Sequence, residues 1–211
     1  MRVASARGSS VSELHTFLFE GLPVRGMLVR ITGPWQDILR RRAEHPETGA
    51  YTPAVRDLLG EMTAAAVLMQ GNIKFNGALV LQVFGDGPLK LAVVEVQSDL
   101  QLRATAKQMD AVPDDATLSM MVNRNRGGRC SITLDPQDRQ PGQQPYQGIV
   151  PLWDDQGQPL ESLQSVLEHY MLQSEQLDTT LVLAANGEVA AGLLIQRLPV
   201  QGAGNLSARA T

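Results

Sequence analysis

The 211-residue chain is predicted to fold as a mixed domain of helices and hairpin-linked strands. Three dipeptides that favour tight turns, Asn76-Gly77, Asp86-Gly87 and Asn186-Gly187, each sit between strand-like runs. Residues 53–71 (PAVRDLLGEMTAAAVLMQG) open on proline and close on glycine, the punctuation of a long helix. Hydrophobic residues make up 43% of the chain and charged ones 19%, which suits one soluble domain with a sizeable core.

The elements follow in order. Ser10-x-x-Glu13 forms a capping box, and Leu14, Phe17 and Leu18 follow at helical spacing, so a first helix is expected there. Residues 22–31 (LPVRGMLVRI) alternate and are rich in branched side chains, which predicts a strand with Gly26 at a bulge or bend. A short helix runs from Pro34 to about Ala43, and residues 45–53 are loop. Thr52 can cap the long helix, whose Leu58, Met62, Ala65, Ala66 and Met69 line one face while Gly60 and Ala64 admit a close neighbour. That composition predicts a core helix beneath a sheet. Strands are expected at 78–84, 89–96, 130–134, 147–152, 180–185 and 189–196, with a proline- and glutamine-rich loop at 138–145. A second amphipathic helix opens at Pro159 and carries Leu160, Leu163, Leu167, Tyr170 and Met171 on one face. Residues 1–9 read as a disordered lead-in without the apolar stretch of a secretory signal, 10–199 as the single core domain, and 200–211 as linker.

Function classes fall away in turn. Net charge is −4 and aromatics are 4%, which argues against a nucleic-acid partner. The clusters Arg40-Arg41-Arg42 and Arg124/Arg126/Arg129 are local exceptions that read as solvated charges. No apolar run approaches the ~20 residues needed to cross a bilayer. Gly85-Asp86-Gly87-Pro88 is not a phosphate cradle: a strand follows it, Lys90 stands where a third glycine is needed, and Pro88 lacks a backbone donor. Its Asp86-Gly87 is expected to supply the positive φ of a tight hairpin turn. His15, His45 and His169 are dispersed, no nucleophile elbow is present, and the pairs Asp114-Asp115 and Asp154-Asp155 sit in loops. Cys130, the only cysteine, excludes an intramolecular disulfide and a thiolate cage and reads as a structural thiol in a strand. The eight methionines read as gap-fillers of the core.

KFNGALVLQVFGDGPLKLAVVE (74–95) resembles the hallmark segment of the heat-shock protein 33 family, the 33 kDa chaperonins. Four further segments match in order: LPVRG (22–26), YQGIVPL (146–152), SLQSVLEHYMLQSEQLDT (162–179) and AAGLLIQRLP (190–199). Five ordered segments spread over most of residues 13–199 make the resemblance specific.

The resemblance implies an α+β fold, mostly antiparallel sheet layers backed by helices. It implies a redox-regulated, ATP-independent holdase of the bacterial cytoplasm that binds unfolding proteins under oxidative stress, and a homodimer. It also implies zinc held by C-x-C and C-x-x-C motifs in a C-terminal domain, of which these 211 residues contain no cysteine. The chain is therefore expected to be the substrate-binding core without its switch, binding no cofactor, no nucleic acid and no membrane. Strands 78–84 and 89–96 are apolar on both faces, so one face needs a cover; Val80, Phe84, Leu89 and Leu91 are the expected client contacts. The alternative is a small-molecule enzyme or ligand-binding domain on the same fold, with Arg25, Asp86 and Glu175 in its site.

Overall fold

The computed structural model describes residues 11–198 apart from 74, 140, 141 and 143. Among the described residues nine strands and four helices follow one another: β1 (Glu13–Leu18), β2 (Val24–Ile31), α1 (Gly33–Ala43), α2 (Pro53–Asn72), β3 (Gly77–Phe84), β4 (Leu89–Gln97), β5 (Leu102–Gln108), α3 (Leu118–Val122), β6 (Arg129–Pro136), β7 (Tyr146–Pro151), α4 (Leu163–Glu175), β8 (Thr179–Ala185) and β9 (Ala190–Arg197). They form two wholly antiparallel sheets, a four-stranded one ordered β1-β2-β9-β8 and a five-stranded one ordered β5-β4-β3-β6-β7. The expected α+β class holds.

The long helix α2 lies between the sheets, packing on β2, β8 and β9 from one side and on β3, β4 and β5 from the other. A helix with two apolar neighbours must be apolar nearly all round, and Val55, Leu59, Met62, Ala64, Leu68 and Met69 are all buried. The close neighbour expected at Gly60 is real: a Cβ there would stand 2.4 Å from Cβ of Ala185 and 3.0 Å from the Trp35 ring. Across the same seam, a Cβ on Gly192 would meet Leu68 at 2.8 Å. Thr52 occupies the N-cap of α2, but its hydroxyl makes no capping bond, and the helix continues through Gly71.

Five expectations are corrected. Residues 13–18 form strand β1, not a helix, pairing along their whole length with β2. Leu14, Phe17 and Leu18 fit a helical period, but ladder pairing with β2 outweighs it; the capping residue Ser10 lies outside the described residues. Gly26 sits in unbroken register rather than at a bulge, because the Phe17 ring occupies the space its side chain would fill. Asn76-Gly77 is not a hairpin turn: Gly77 begins β3, pressed so closely to the Asp135 carbonyl that a Cβ would stand 2.2 Å from it. Gly85 and Gly87 link β3 to β4 as expected, but neither has positive φ. They are glycines because a Cβ would stand 1.8 Å from the Val122 carbonyl oxygen and 2.2 Å from that of Met121, so the hairpin tip docks onto the end of α3. Helix α4 begins at Leu163, not at Pro159, with the Ser162 hydroxyl accepting from the Ser165 N–H at 3.3 Å. Strand β5 and the five-residue α3 have no counterpart in the sequence reading.

Candidate functional site

The inner faces of both sheets are used by the core, so any surface function falls to the outer faces, edges and loops. On the four-stranded sheet, register places three rows on the outer face. They are Phe17–Gly26–Ile195–Thr180, His15–Leu28–Leu193–Val182 and Glu13–Arg30–Ala191–Ala184. The first two rows are largely apolar, and Phe17 (39%), Leu28 (45%) and Val182 (55%) remain exposed. Phe19 stands edge-on to Phe17 with ring centroids 5.7 Å apart, extending the patch toward the β1–β2 turn. That turn is made by Phe19–Gly21–Leu22, with Gly21 at φ +73° and the Leu22 N–H donating to the Phe19 carbonyl. Sequence reasoning missed this face because it placed residues 13–18 on a helix. The signal was there as alternation: Leu14 turns toward α2, near Gly71, while His15 and Phe17 face out.

The outer face of the five-stranded sheet is mixed. Its rows are Arg103–Glu95–Val80–Thr133–Gln147, Thr105–Val93–Gln82–Ser131–Ile149 and Lys107–Leu91–Phe84–Arg129–Pro151. The structure thus brings Val80, Phe84 and Leu91 onto one face, each half-buried. Leu89 is corrected: it is fully buried in the core, where the irregular register between Leu89 and Leu91 turns it inward. Arg103 donates to the Glu95 carboxylate through Nε at 3.0 Å, and the Ser131 hydroxyl donates to Oε1 of Gln82 at 3.1 Å.

The residues of the alternative enzyme reading are not brought together. Arg25 donates to Gln196 at 2.6 Å on the β2–β9 ladder. Glu175 accepts from the Tyr170 hydroxyl at 3.1 Å. Asp86 lies at the far end of β3, accepting the Asn125 N–H at 2.9 Å. Each carboxylate or guanidinium is tied into the fold locally, and Asp86 helps hold the hairpin tip onto the loop after α3.

Several other titratable groups are shifted by burial or local bonds. Cys130 is fully buried, and burial pushes its thiol up to about 12, which leaves no thiolate for nucleophilic or redox chemistry at neutral pH. Burial also raises Tyr170, as do its bonds with Tyr146 and Glu175. Asp37 is held below the ordinary carboxylate range first by its bond from Arg40. Asp57, Glu61, Asp114, Asp115 and Glu161 line a cavity of about 290 Å³ between α2, α3 and the start of α4. Burial, and then Asp57, push Glu61 up to about 7. Arg129 and Arg126 both lie over the Trp153 ring, at 4.6 and 6.0 Å, and donate to loop carbonyls. The zinc that the family resemblance implies does not fit these residues: the one cysteine is sealed in β6, and no group of three or more His, Cys, Asp or Glu among the described residues could hold a metal ion.

Two antiparallel sheets enclose a central helix, and the outer face of the four-stranded sheet is largely apolar, with Phe17, Leu28 and Val182 exposed on it. The family described as "Hsp33 protein" matches residues 12–210, and the chain belongs to that family. The "33 kDa chaperonin" of Chromobacterium violaceum is 50% identical over 187 residues, covering 89% of this chain and 58% of the relative. That of Methylobacillus flagellatus is 46% identical over 189 residues, and that of Neisseria meningitidis serogroup A 42% over 185. The chain thus spans little more than half the length of these relatives. The crystal structure of the 33 kDa chaperonin from Thermotoga maritima superposes over 88% of this chain and 60% of its own with a TM-score of 0.65; at 17% identity that likeness speaks for the fold.

Proposed function

We propose that residues 10–199 form the client-binding core of an ATP-independent holdase that captures unfolding proteins in the bacterial cytoplasm. One observation carries the reading: Phe17, Phe19, Leu28 and Val182 stay exposed on one continuous sheet face beside Leu193 and Ile195. An exposed apolar patch of roughly 400 Å² offers on the order of 10 kcal/mol gross to an apolar chain segment. Ordering of both partners offsets much of that, leaving the modest, unselective affinity a holdase needs. Val80, Phe84 and Leu91 supply a second, weaker contact surface on the other sheet. Redox control, as in the family, requires thiols other than the buried Cys130, and a homodimer would join two such faces.

The test is light scattering from a chemically unfolded client, with and without the chain and without nucleotide. Leu28→Ser combined with Val182→Ser should weaken suppression severalfold while leaving the unfolding midpoint nearly unchanged. Full suppression by that variant would refute the assignment of the face, and no suppression by the parent chain would refute the holdase.

A further inference from the structure

We propose that the groove between α1 and the edge strand β5 is a separate binding site that takes an extended acidic peptide as a sixth strand. The groove is a cavity of about 510 Å³, within the roughly 300–1,000 Å³ of ligand clefts. One wall is α1 and the segment after it, with Arg41, Arg42 and His45; the other is β5 from Leu102 to Thr105.

The wall carries unspent positive charge. Arg42 makes no ion pair among the described residues; its guanidinium stacks over the Tyr51 ring at 4.4 Å, and its Nε is buried without a hydrogen-bond partner. Arg41 uses its Nε on Asp37 at 2.7 Å, and Asp37, the one carboxylate lining the groove, is already shared with Arg40. Stacking fixes the plane of the Arg42 guanidinium without using its N–H donors, and a planar guanidinium suits a carboxylate.

The floor is an unpaired ladder. In an antiparallel edge strand, alternate residues turn both N–H and C=O away from the partner strand. The Ala106 N–H donates to the Tyr51 hydroxyl at 2.9 Å, so position 106 faces out from β4, and by the same alternation Ala104 and Leu102 do as well. The Tyr51 hydroxyl thus plugs the edge at 106, while the backbone groups of 104 and 102 have no partner among the described residues. The β8 edge of the other sheet is treated differently: the Leu181 N–H is taken by the Glu168 carboxylate of α4 at 2.7 Å. Proteins normally blunt a strand edge. This one is left open where cations gather, and alternating N–H and C=O groups match a peptide backbone rather than a compact anion.

The groove lies apart from the apolar face assigned to clients, so either proposal can fail alone. The test is fluorescence anisotropy of the full chain with two labelled peptides of the same alternating valine backbone, one bearing glutamates and one lysines. The glutamate peptide should bind at least roughly tenfold more tightly, and added salt should weaken it. Ala104→Pro removes an outward N–H without touching the ladder to β4, a substitution edge strands tolerate, and should weaken binding roughly tenfold. Arg42→Ala combined with Arg41→Ala, both on the surface helix, should do the same and decides the matter if the proline variant proves unfolded by circular dichroism. Val182→Ser should leave the peptide affinity unchanged. Equal affinity for the two peptides, or affinity unmoved in the arginine variant, overturns the proposal. Displacement of the peptide by inorganic phosphate together with an inert Ala104→Pro would assign the groove to a small anion and likewise overturn it.

Discussion

Replacing Glu61 by glutamine should make the protein more stable at neutral pH and flatten the pH dependence of its stability. Glu61 sits on α2 facing a cavity whose other acidic groups are Asp57 on the same helix, Asp114 and Asp115 from the loop before α3, and Glu161 before α4. Arg56 is engaged with Asp57 at 2.7 Å. Burial and then Asp57 raise Glu61 from 4.5 to about 7. The folded protein therefore keeps this proton more tightly than the unfolded chain does. Below pH 4.5 both states are protonated and the group is neutral to stability; between about 4.5 and 7 the unfolded state ionises first and stability falls; above 7 the loss is complete. The full shift corresponds to at most about 3.4 kcal/mol. Glu61 is only half-buried, and solvent screening reduces that to roughly 1–2 kcal/mol. Glu61→Gln removes the ionisation while keeping the shape. Urea unfolding at pH 5, 6, 7 and 8 should show the variant gaining about 1–2 kcal/mol at pH 8 and little at pH 5. A constant offset between variant and parent across that range would refute the reasoning.

Three further outcomes are expected. Gly85→Ala forces a Cβ to within 1.8 Å of the Val122 carbonyl oxygen, and backbone must move to relieve it. The cost should be roughly 2–4 kcal/mol in urea unfolding, with Asn123 and Asn125 amide resonances displaced; a loss under 0.5 kcal/mol would show that the tip does not dock as described. Cys130 should resist a thiol reagent in the native protein and react fully in denaturant, and Cys130→Ala should suppress aggregation equally in reducing buffer and in peroxide; fast native labelling would refute the sealed position. Elemental analysis should find far less than one zinc per chain, and chelator-resistant stoichiometric metal would contradict the ligand count.

The sequence discloses most where one local cause suffices. Alternation marks β2, β3, β4, β6, β7, β8 and β9, and the Pro53 opening and glycine close mark α2 to within a residue. It misleads where a tertiary partner decides. Leu14, Phe17 and Leu18 fit a helix until β2 arrives to pair them. The glycines at 77, 85 and 87 all look like turn formers, but Gly77 starts a strand, and Gly85 and Gly87 turn the chain while also serving close approach. Strand β5 (LRATAKQ) was invisible because its apolar residues, Leu102, Ala104 and Ala106, are small or few, and its partner β4 supplies the burial. The expected client contacts show the same limit: alternation predicts two faces for β3 and β4, but the register break near Leu91 decides that Leu89 turns inward. The apolar outer face of the four-stranded sheet needed β9 beside β2, a pairing no local pattern announces.

That pairing has a consequence for how the protein is made. Strand β2 ends at Ile31 and its partner β9 begins at Ala190, so ~160 residues must be synthesised between them, roughly 10–30 s at ordinary translation rates. Throughout that interval the β1–β2 hairpin is a two-stranded ribbon with Phe17, Leu18, Phe19, Leu22 and Leu28 uncovered, too small to be stable alone. The nascent chain thus carries, during that interval, the kind of sticky extended segment that the finished molecule is proposed to capture. Completed copies nearby would be its natural first clients, so the yield of newly made protein should rise with the amount already folded.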